Sequence, residues 1–401
     1  MMVENVSRRY LGVLGFAVFL LAPSFDTALK YLGTKGLVLY FVIGTCIILL
    51  GHRFVMPVFR NLISERHATY FAIITFLLLI GIALYGYPIA NSGRFGVGSD
   101  ADEALLTAAG ELIRGRYPYY LQTYLGNQIS PLPGAVLFAV PFVILGAISL
   151  QNVFWLAVLF IAVRYFEKSS VLALGLIWVT LGFSPTVLQN IVTGADYISN
   201  SIYILVLMWI LIKMVSDSTA SQWKRLVPSV LLGLAFSSRS NFLLLLPLLL
   251  SILVQTSGWK SAIKYSAISG LAFLLVTVPF WLYDPPGFAP LIVQAKKLRA
   301  IEEVLPFAGV IIPGSAVMLS MILSFQKLKS DCILFFRNCA IVQLFVLFFT
   351  SAVYSIKLGQ PDLYLGQSGY GMFTLFFGAL AGWLNIYGRD INDPTSEDRL
   401  V

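Results

Sequence analysis

Apolar runs, most of 15 to 21 residues, recur from one end of this chain to the other and limit its fold more than any other feature. A run near 20 residues, rising about 1.5 Å per residue, spans a hydrocarbon core of about 30 Å. Hydrophobic residues fill 58% of the 401 positions and charged residues only 11%, against about 25% charged in an ordinary soluble domain. Polar groups are too few to cover such a chain, so its solvent is lipid. Inside lipid every backbone group must bond within the chain. The roughly ten-residue alternation of an outer-membrane barrel is missing, so the spans are helices. The expected fold class is an all-α polytopic membrane protein.

The segments are 10–27, 35–51, 69–88, 132–149, 151–165, 170–186, 198–214, 227–238, 241–256, 262–282, 305–325, 333–353 and 369–387. Lys and Arg favour the cytoplasmic side of a membrane. If all thirteen segments cross with the N-terminus inside, these cations divide 10 inside and 17 outside; if 132–149 enters and leaves on one side, they divide 17 inside and 10 outside. That segment opens with Pro131 and Pro133 and carries Pro141, which suits a re-entrant or surface helix. The expectation is therefore a bundle of about 12 transmembrane helices plus juxtamembrane or re-entrant helices, with both termini cytoplasmic. Residues 1–388 form one transmembrane domain with outer-face loops at 89–131 and 283–304, and 389–401 form a polar cytoplasmic tail. The first apolar stretch lacks a small-x-small cleavage site and reads as a retained helix.

The net charge of +8 is scattered between spans, which fits lipid-facing loops rather than nucleic acid. Cys46, Cys332 and Cys339 lie in or beside spans and supply no disulfide framework. The only histidines, His52 and His67, follow the second segment on the cytoplasmic side, so outer-face chemistry works without histidine. The sequence has no Walker loop, dinucleotide fingerprint or cysteine metal motif. No cofactor is expected; a divalent metal would have only the carboxylates to hold it.

The first long loop contains SDADEALLTAAGELIRGRYPYYLQTYLGNQISPLPG. Leu105, Ala108, Ala109, Leu112 and Ile113 make one apolar stripe of a short helix that Gly115 stops, with Glu111, Arg114 and Arg116 on its polar side, lying along the membrane surface. At its start stand Asp100, Asp102 and Glu103. Ser99 with Asp102 has capping-box spacing, and first-turn acids complement the helix dipole by about 0.3–1 kcal/mol each. Alternatively one carboxylate, Asp100 or Asp102, is a general base for an attacking hydroxyl while a neighbour positions it. Tyr117, Tyr119, Tyr120 and Tyr124, with Asn127 and Gln128, supply rings and amides suited to a sugar, or else an interfacial tyrosine belt.

Other outer-face residues extend the candidate set. Asp196, in GADYISNS, is a second acid or a helix cap. Arg239 interrupts AFSSRSNFLL as an anion-binding group at a broken helix or as a plain hairpin turn. Lys296, Lys297 and Arg299, against the positive-inside trend, suit a phosphate, with Glu302 and Glu303 partly balancing them.

Taken together, SDADE, GRYPYY, PLPGAVLFAVPFVILG, GADYISNS and PFWLYDPP make the chain resemble the GT-C membrane glycosyltransferases, particularly the bacterial polyprenyl-phosphate-mannose-type transferases. The resemblance implies inverting transfer of a hexose or pentose from a polyprenyl-phosphate donor to a lipid or glycan acceptor on the outer or lumenal face. The active site would be periplasmic in a bacterial inner membrane. The family's catalytic Asp falls on Asp100 or Asp102. Glu103, Tyr119, Tyr120, Asn127, Gln128 and Asp196 would then bind substrate, and Arg239, Lys296, Lys297 and Arg299 the phosphate. A secondary transporter or lipid flippase is the alternative; membrane lipids are a further expected partner, and nucleic acid is not.

Overall fold

The computed structural model describes residues 2–92, 94, 99–328, 332–363 and 370–388. Lys329, Arg389, Arg399 and the 389–401 tail lie outside the described residues. The chain is all-α: among the described residues the single strand-like feature is an isolated bridge between Gln122 and Gln128. In order, the helices are α1 (Met2–Leu21), α2 (Phe25–Leu50), α3 (Met56–Leu62), α4 (Glu65–Ala90), α5 (Ala101–Ile113), α6 (Pro133–Ile144), α7 (Gln151–Glu167) and α8 (Ser170–Phe183). They continue as α9 (Pro185–Thr193), α10 (Tyr197–Ser216), α11 (Gln222–Phe236), α12 (Leu246–Tyr283), α13 (Ala289–Arg299), α14 (Ala308–Ser324), α15 (Cys332–Leu358) and α16 (Met372–Trp383).

Six helical stretches among the described residues are long and apolar enough to cross a membrane: Tyr10–Phe59, Glu65–Ala90, Ile148–Glu167, Tyr197–Ser216, Ser240–Tyr283 and Cys332–Leu358. They are compatible with an integral membrane protein. Two are too long for one crossing. The 44 residues of Ser240–Tyr283 would extend about 66 Å as a straight helix, roughly twice the hydrocarbon core. Gly258, at φ 79°, breaks it where the sequence separates 241–256 from 262–282. Along Tyr10–Phe59 the helix breaks at the Ala22–Ser24 turn around Pro23 and again at Gly33. α6, at 12 residues and about 18 Å, is too short to cross.

The stretch expected as one helix over 170–186 is instead bent by 88° between α8 and α9. Pro185 opens α9 where no N–H is needed, and the residue before a proline is pushed out of helical geometry, as Ser184 is. The bend strips backbone groups of their helical partners, and the N-terminal helices supply replacements. The Tyr40 hydroxyl donates to the Phe183 carbonyl at 2.7 Å, and Ser24 Oγ accepts from the Thr186 N–H at 3.2 Å. Thr27 Oγ1 bonds the Thr186 hydroxyl at 2.9 Å and Gln189 Oε1 at 3.0 Å.

The core centres on α10, buried on nearly every face among α7, α11, α12 and α16. A helix apolar all round has no solvent face to offer and takes the middle of a bundle. α2 and α4 instead present Val42, Ile47, Leu77, Leu78 and Leu84 outward, an apolar surface for lipid to cover.

Candidate active site around the acidic loop

α5 buries Ala104, Leu105, Ala108 and Ala109 against α6 and the following loop, close to the stripe the sequence predicts. Two of its residues depart from that reading. Ile113 is exposed, and Glu111, expected on the solvent side, is buried. Glu111 tolerates burial because Arg114 Nη1 and Arg116 Nη2 reach it at 3.1 and 2.5 Å. Gly115 ends the helix at φ 69°.

The acids at its start do not form the capping box that their spacing suggests. Asp100 is the N-cap residue, yet its side chain accepts no helix N–H. Its Oδ2 accepts instead from Thr123 Oγ1 at 2.6 Å and Asn127 Nδ2 at 2.8 Å, and its Oδ1 takes no hydrogen bond among the described residues. Asp102 turns the other way. Its Oδ2 accepts from the Tyr87 hydroxyl at 2.7 Å and Asn91 Nδ2 at 3.3 Å, both at the end of α4. Glu103 Oε2 accepts from the Tyr124 N–H at 2.8 Å. The three carboxylates thus tie α5 to two places, Asp100 and Glu103 to the 123–127 loop and Asp102 to the end of α4. Asp100 is half-buried, whereas Asp102 is 5% exposed, and burial pushes its carboxyl above the ordinary carboxylate value against the lowering hydrogen bond from Tyr87.

Asp196 and Arg239, which the sequence leaves as separate candidates, form one buried ion pair. Arg239 Nη2 lies 2.7 and 2.9 Å from the two carboxylate oxygens. Asn200 Nδ2 adds a bond to Asp196 Oδ2 at 2.8 Å, and Tyr203 donates to Asn200 Oδ1. The guanidinium also stands over the Tyr197 ring at 5.3 Å and reaches Ser130 Oγ at 3.5 Å, while its Nε has no partner among the described residues. This pair explains how an acid beside a span is tolerated there: its charge is met within the fold.

Close backbone packing joins the ion pair to the acidic loop. Gly194, at φ 71°, presses on the first turn of α5, and a Cβ there would lie 2.8 Å from Tyr87 Cε2 and 3.1 Å from Asp102 Cβ. Asn152 holds the same turn. Its Nδ2 donates to the Asn190 and Ala195 carbonyls at 2.9 and 2.7 Å, and its Oδ1 accepts from the Ser199 N–H and hydroxyl. On the other side the Gly134 N–H bonds the Ser237 carbonyl at 2.6 Å. A Cβ at 134 would meet the Leu234 carbonyl oxygen at 2.1 Å, so only glycine lets the PLPG turn dock beside Arg239.

The tyrosines join the two long loops. Tyr117 stacks on Tyr283 with ring centroids 5.0 Å apart and donates to the Phe280 carbonyl at 2.9 Å; Tyr119 meets Phe288 at 5.1 Å. Tyr119 is buried with its hydroxyl unpartnered among the described residues, and burial holds that phenol well above its ordinary pKa. Tyr120 and Tyr124 keep exposed rings, Tyr120 beside Asp284. Gln128 is exposed and engaged through its backbone bridge. Lys296 and Arg299 are exposed on α13 and, among the described residues, form no bond to the acids; the Lys297 side chain lies outside the described residues.

Among the described residues no group of three His, Cys, Asp or Glu side chains could hold a metal ion. His52 bonds Tyr387 and His67 bonds Ser64, away from the acids. The sequence reading missed Tyr87, Asn91, Thr123, Asn152 and Asn200. Tyr87 and Asn91, four apart at the end of α4, would have shared a face with each other but gave no sign of what that face meets. No protein-family model, curated protein or solved structure matches the chain.

Proposed function

We propose that this chain is a GT-C-type membrane glycosyltransferase of about twelve crossings, with its acidic loop on the outer face of a bacterial inner membrane. It transfers a hexose or pentose from a polyprenyl-phosphate donor to a lipid or glycan acceptor with inversion. The observation that carries the reading is the state of Asp100: one carboxylate oxygen anchored by Thr123 and Asn127, the other without a partner among the described residues, half-exposed at the start of α5. That arrangement suits a general base, fixed in orientation yet open to an acceptor hydroxyl.

In the step, Asp100 takes the hydroxyl proton as that oxygen bonds to the anomeric carbon, and the bond from that carbon to the phosphate oxygen breaks. The polyprenyl phosphate leaves with the electron pair. Asp102 acts as a positioning residue that locks α5 to α4 and to the Gly194 turn. Glu103, Asn127 and Gln128 line the loop, and Tyr120 and Tyr124 offer ring faces to the sugar. Asp196 occupies Arg239, so charge on the leaving phosphate falls to Lys296, Lys297 and Arg299.

The test is transfer of radiolabelled sugar from polyprenyl-phosphate sugar to membrane acceptors. Asp100→Asn should lower the rate about 10²–10⁴-fold at matched expression. An unchanged rate would remove Asp100 as the base. One observation favours a second reading, a secondary transporter or lipid flippase: the buried Asp196–Arg239 pair lies among broken helices, the 88° bend and the α11–α12 junction. On that reading Asp196→Asn stops lipid or solute movement in proteoliposomes and Asp100→Asn does not.

A further inference from the structure

A groove of about 560 Å³ beside the helices lies away from the acidic loop. It is lined by Glu65, Arg66, Thr69 and Tyr70 at the start of α4, by Arg164 in the last turn of α7, by Lys168 after it, and by Ser170 opening α8. Tyr87 and Asn91, which touch Asp102, sit at the far end of α4. The 22 helical steps from Glu65 to Tyr87 rise about 33 Å, close to the thickness of a hydrocarbon core. With the acidic loop at one interface, the groove falls at the other.

Its charge is cationic. Glu65 lines the groove too, but both its oxygens are engaged, accepting from Ser169 Oγ at 2.7 Å and the Ser170 N–H at 2.5 Å, where it caps α8. Glu167 sits beside Lys213 and does not line the groove. Arg66, Arg164 and Lys168 form no ion pair or hydrogen bond among the described residues, and all three are exposed. The dipole at the end of α7 accounts for Arg164 and for Lys168, its C-cap residue, but not for Arg66, which α4 brings to the same groove. Three cations with the exposed Tyr70 hydroxyl match a phosphate, which takes several charge-assisted bonds at once; the Thr69 hydroxyl is already committed to the Glu65 carbonyl and Ser170.

We propose that this groove binds the phosphate headgroup of an anionic phospholipid. A lipid rather than a free phosphate is the occupant because exposed Phe71 and Ile74 on α4 and Ile161 on α7 continue from the cations along the apolar faces of the same helices, a path for acyl chains. Exposed Tyr70 and Tyr165 stand at the headgroup level, where interfacial aromatics collect. The proposal requires only that these helices span a membrane and stands apart from the glycosyltransferase reading.

The full chain is placed in nanodiscs of phosphatidylcholine with about 30 mol% phosphatidylglycerol, and retained lipids are counted by native mass spectrometry. The wild type should retain phosphatidylglycerol selectively. Combined Arg66→Gln, Arg164→Gln and Lys168→Gln should reduce that retention about tenfold, while combined Lys224→Gln, Lys260→Gln and Lys264→Gln should leave it intact. A preserved monodisperse elution profile confirms that each variant is folded, and Arg66→Lys with Arg164→Lys, which keep the charge, should keep most of the retention. Equal retention in all variants, or equal loss in both Gln sets, overturns the site. If inorganic phosphate in pure phosphatidylcholine nanodiscs raises Tm as much as phosphatidylglycerol does, the lipid assignment falls.

Discussion

Replacing Asp196 with asparagine tests the centre of the bundle most directly. The aspartate side chain is fully buried, its Arg239 partner is 7% exposed, and two contacts of 2.7 and 2.9 Å join them through one nitrogen. At a charge separation near 4 Å and an effective dielectric near 20, the attraction is about 4 kcal/mol. Removing one member also leaves the other charged in an apolar surrounding, so either Asp196→Asn or Arg239→Gln should cost about 3–5 kcal/mol. Combined, the two should cost clearly less than the sum, with a coupling of about 2 kcal/mol or more, because the double variant strands no charge. Unfolding in mixed dodecylsulfate and dodecylmaltoside micelles, followed by circular dichroism, measures all four corners of the cycle. Single costs below about 1 kcal/mol, or strict additivity, would refute the argument that the two charges depend on each other.

Asp102 gives a pH signature. Burial raises its pKa in the folded chain, so folding favours its protonated form; that stability is complete below its unfolded value near 3.9 and is lost as pH rises through the folded value. Asp102→Asn should flatten this decline in unfolding titrations from about pH 4 upward, and a decline equal to the wild type would assign it to another group. Gly194→Ala places a side chain in left-handed backbone against Tyr87 and Asp102; about 1–2 kcal/mol for the backbone alone should appear as lost stability, measured in the same micelles. Asn152→Leu removes the four bonds that hold the Asp196 turn and should cost about 3 kcal/mol, read as faster amide exchange over 190–199, with unchanged exchange showing the turn holds itself.

The positions of the helices were legible because an apolar run of span length leaves few other folds open in lipid. Their breaks were legible unevenly. Gly258 stands in a polar interruption between two runs, so the division of α12 shows in the sequence, whereas Ser184 and Pro185 sit at the end of an apolar run and the bend there disappears into it. In the site, the α5 stripe followed from helical period, but period says which face is buried and nothing of what it meets. Asp100 reaches Thr123 and Asn127 further along, Asp102 reaches back to Tyr87, and Asp196 meets Arg239 43 positions away. Those partners are chosen by how the loops return to the bundle. Glu111 shows the same limit: its arginines were visible three and five residues on, but that they would accompany it into a buried place was not.

The bend between α8 and α9 also bears on the order in which the chain is assembled. Its replacement hydrogen bonds come from Ser24, Thr27 and Tyr40, which leave the ribosome more than 140 residues before Phe183 and Thr186. Throughout that interval the hydroxyls of the first two helices lack these partners. Once α9 emerges, its opening turn and the first helices complete each other in one event. A truncated product ending before Phe183 would therefore leave the hydroxyls of Ser24, Thr27 and Tyr40 without these partners together, three polar groups stranded on an otherwise apolar surface.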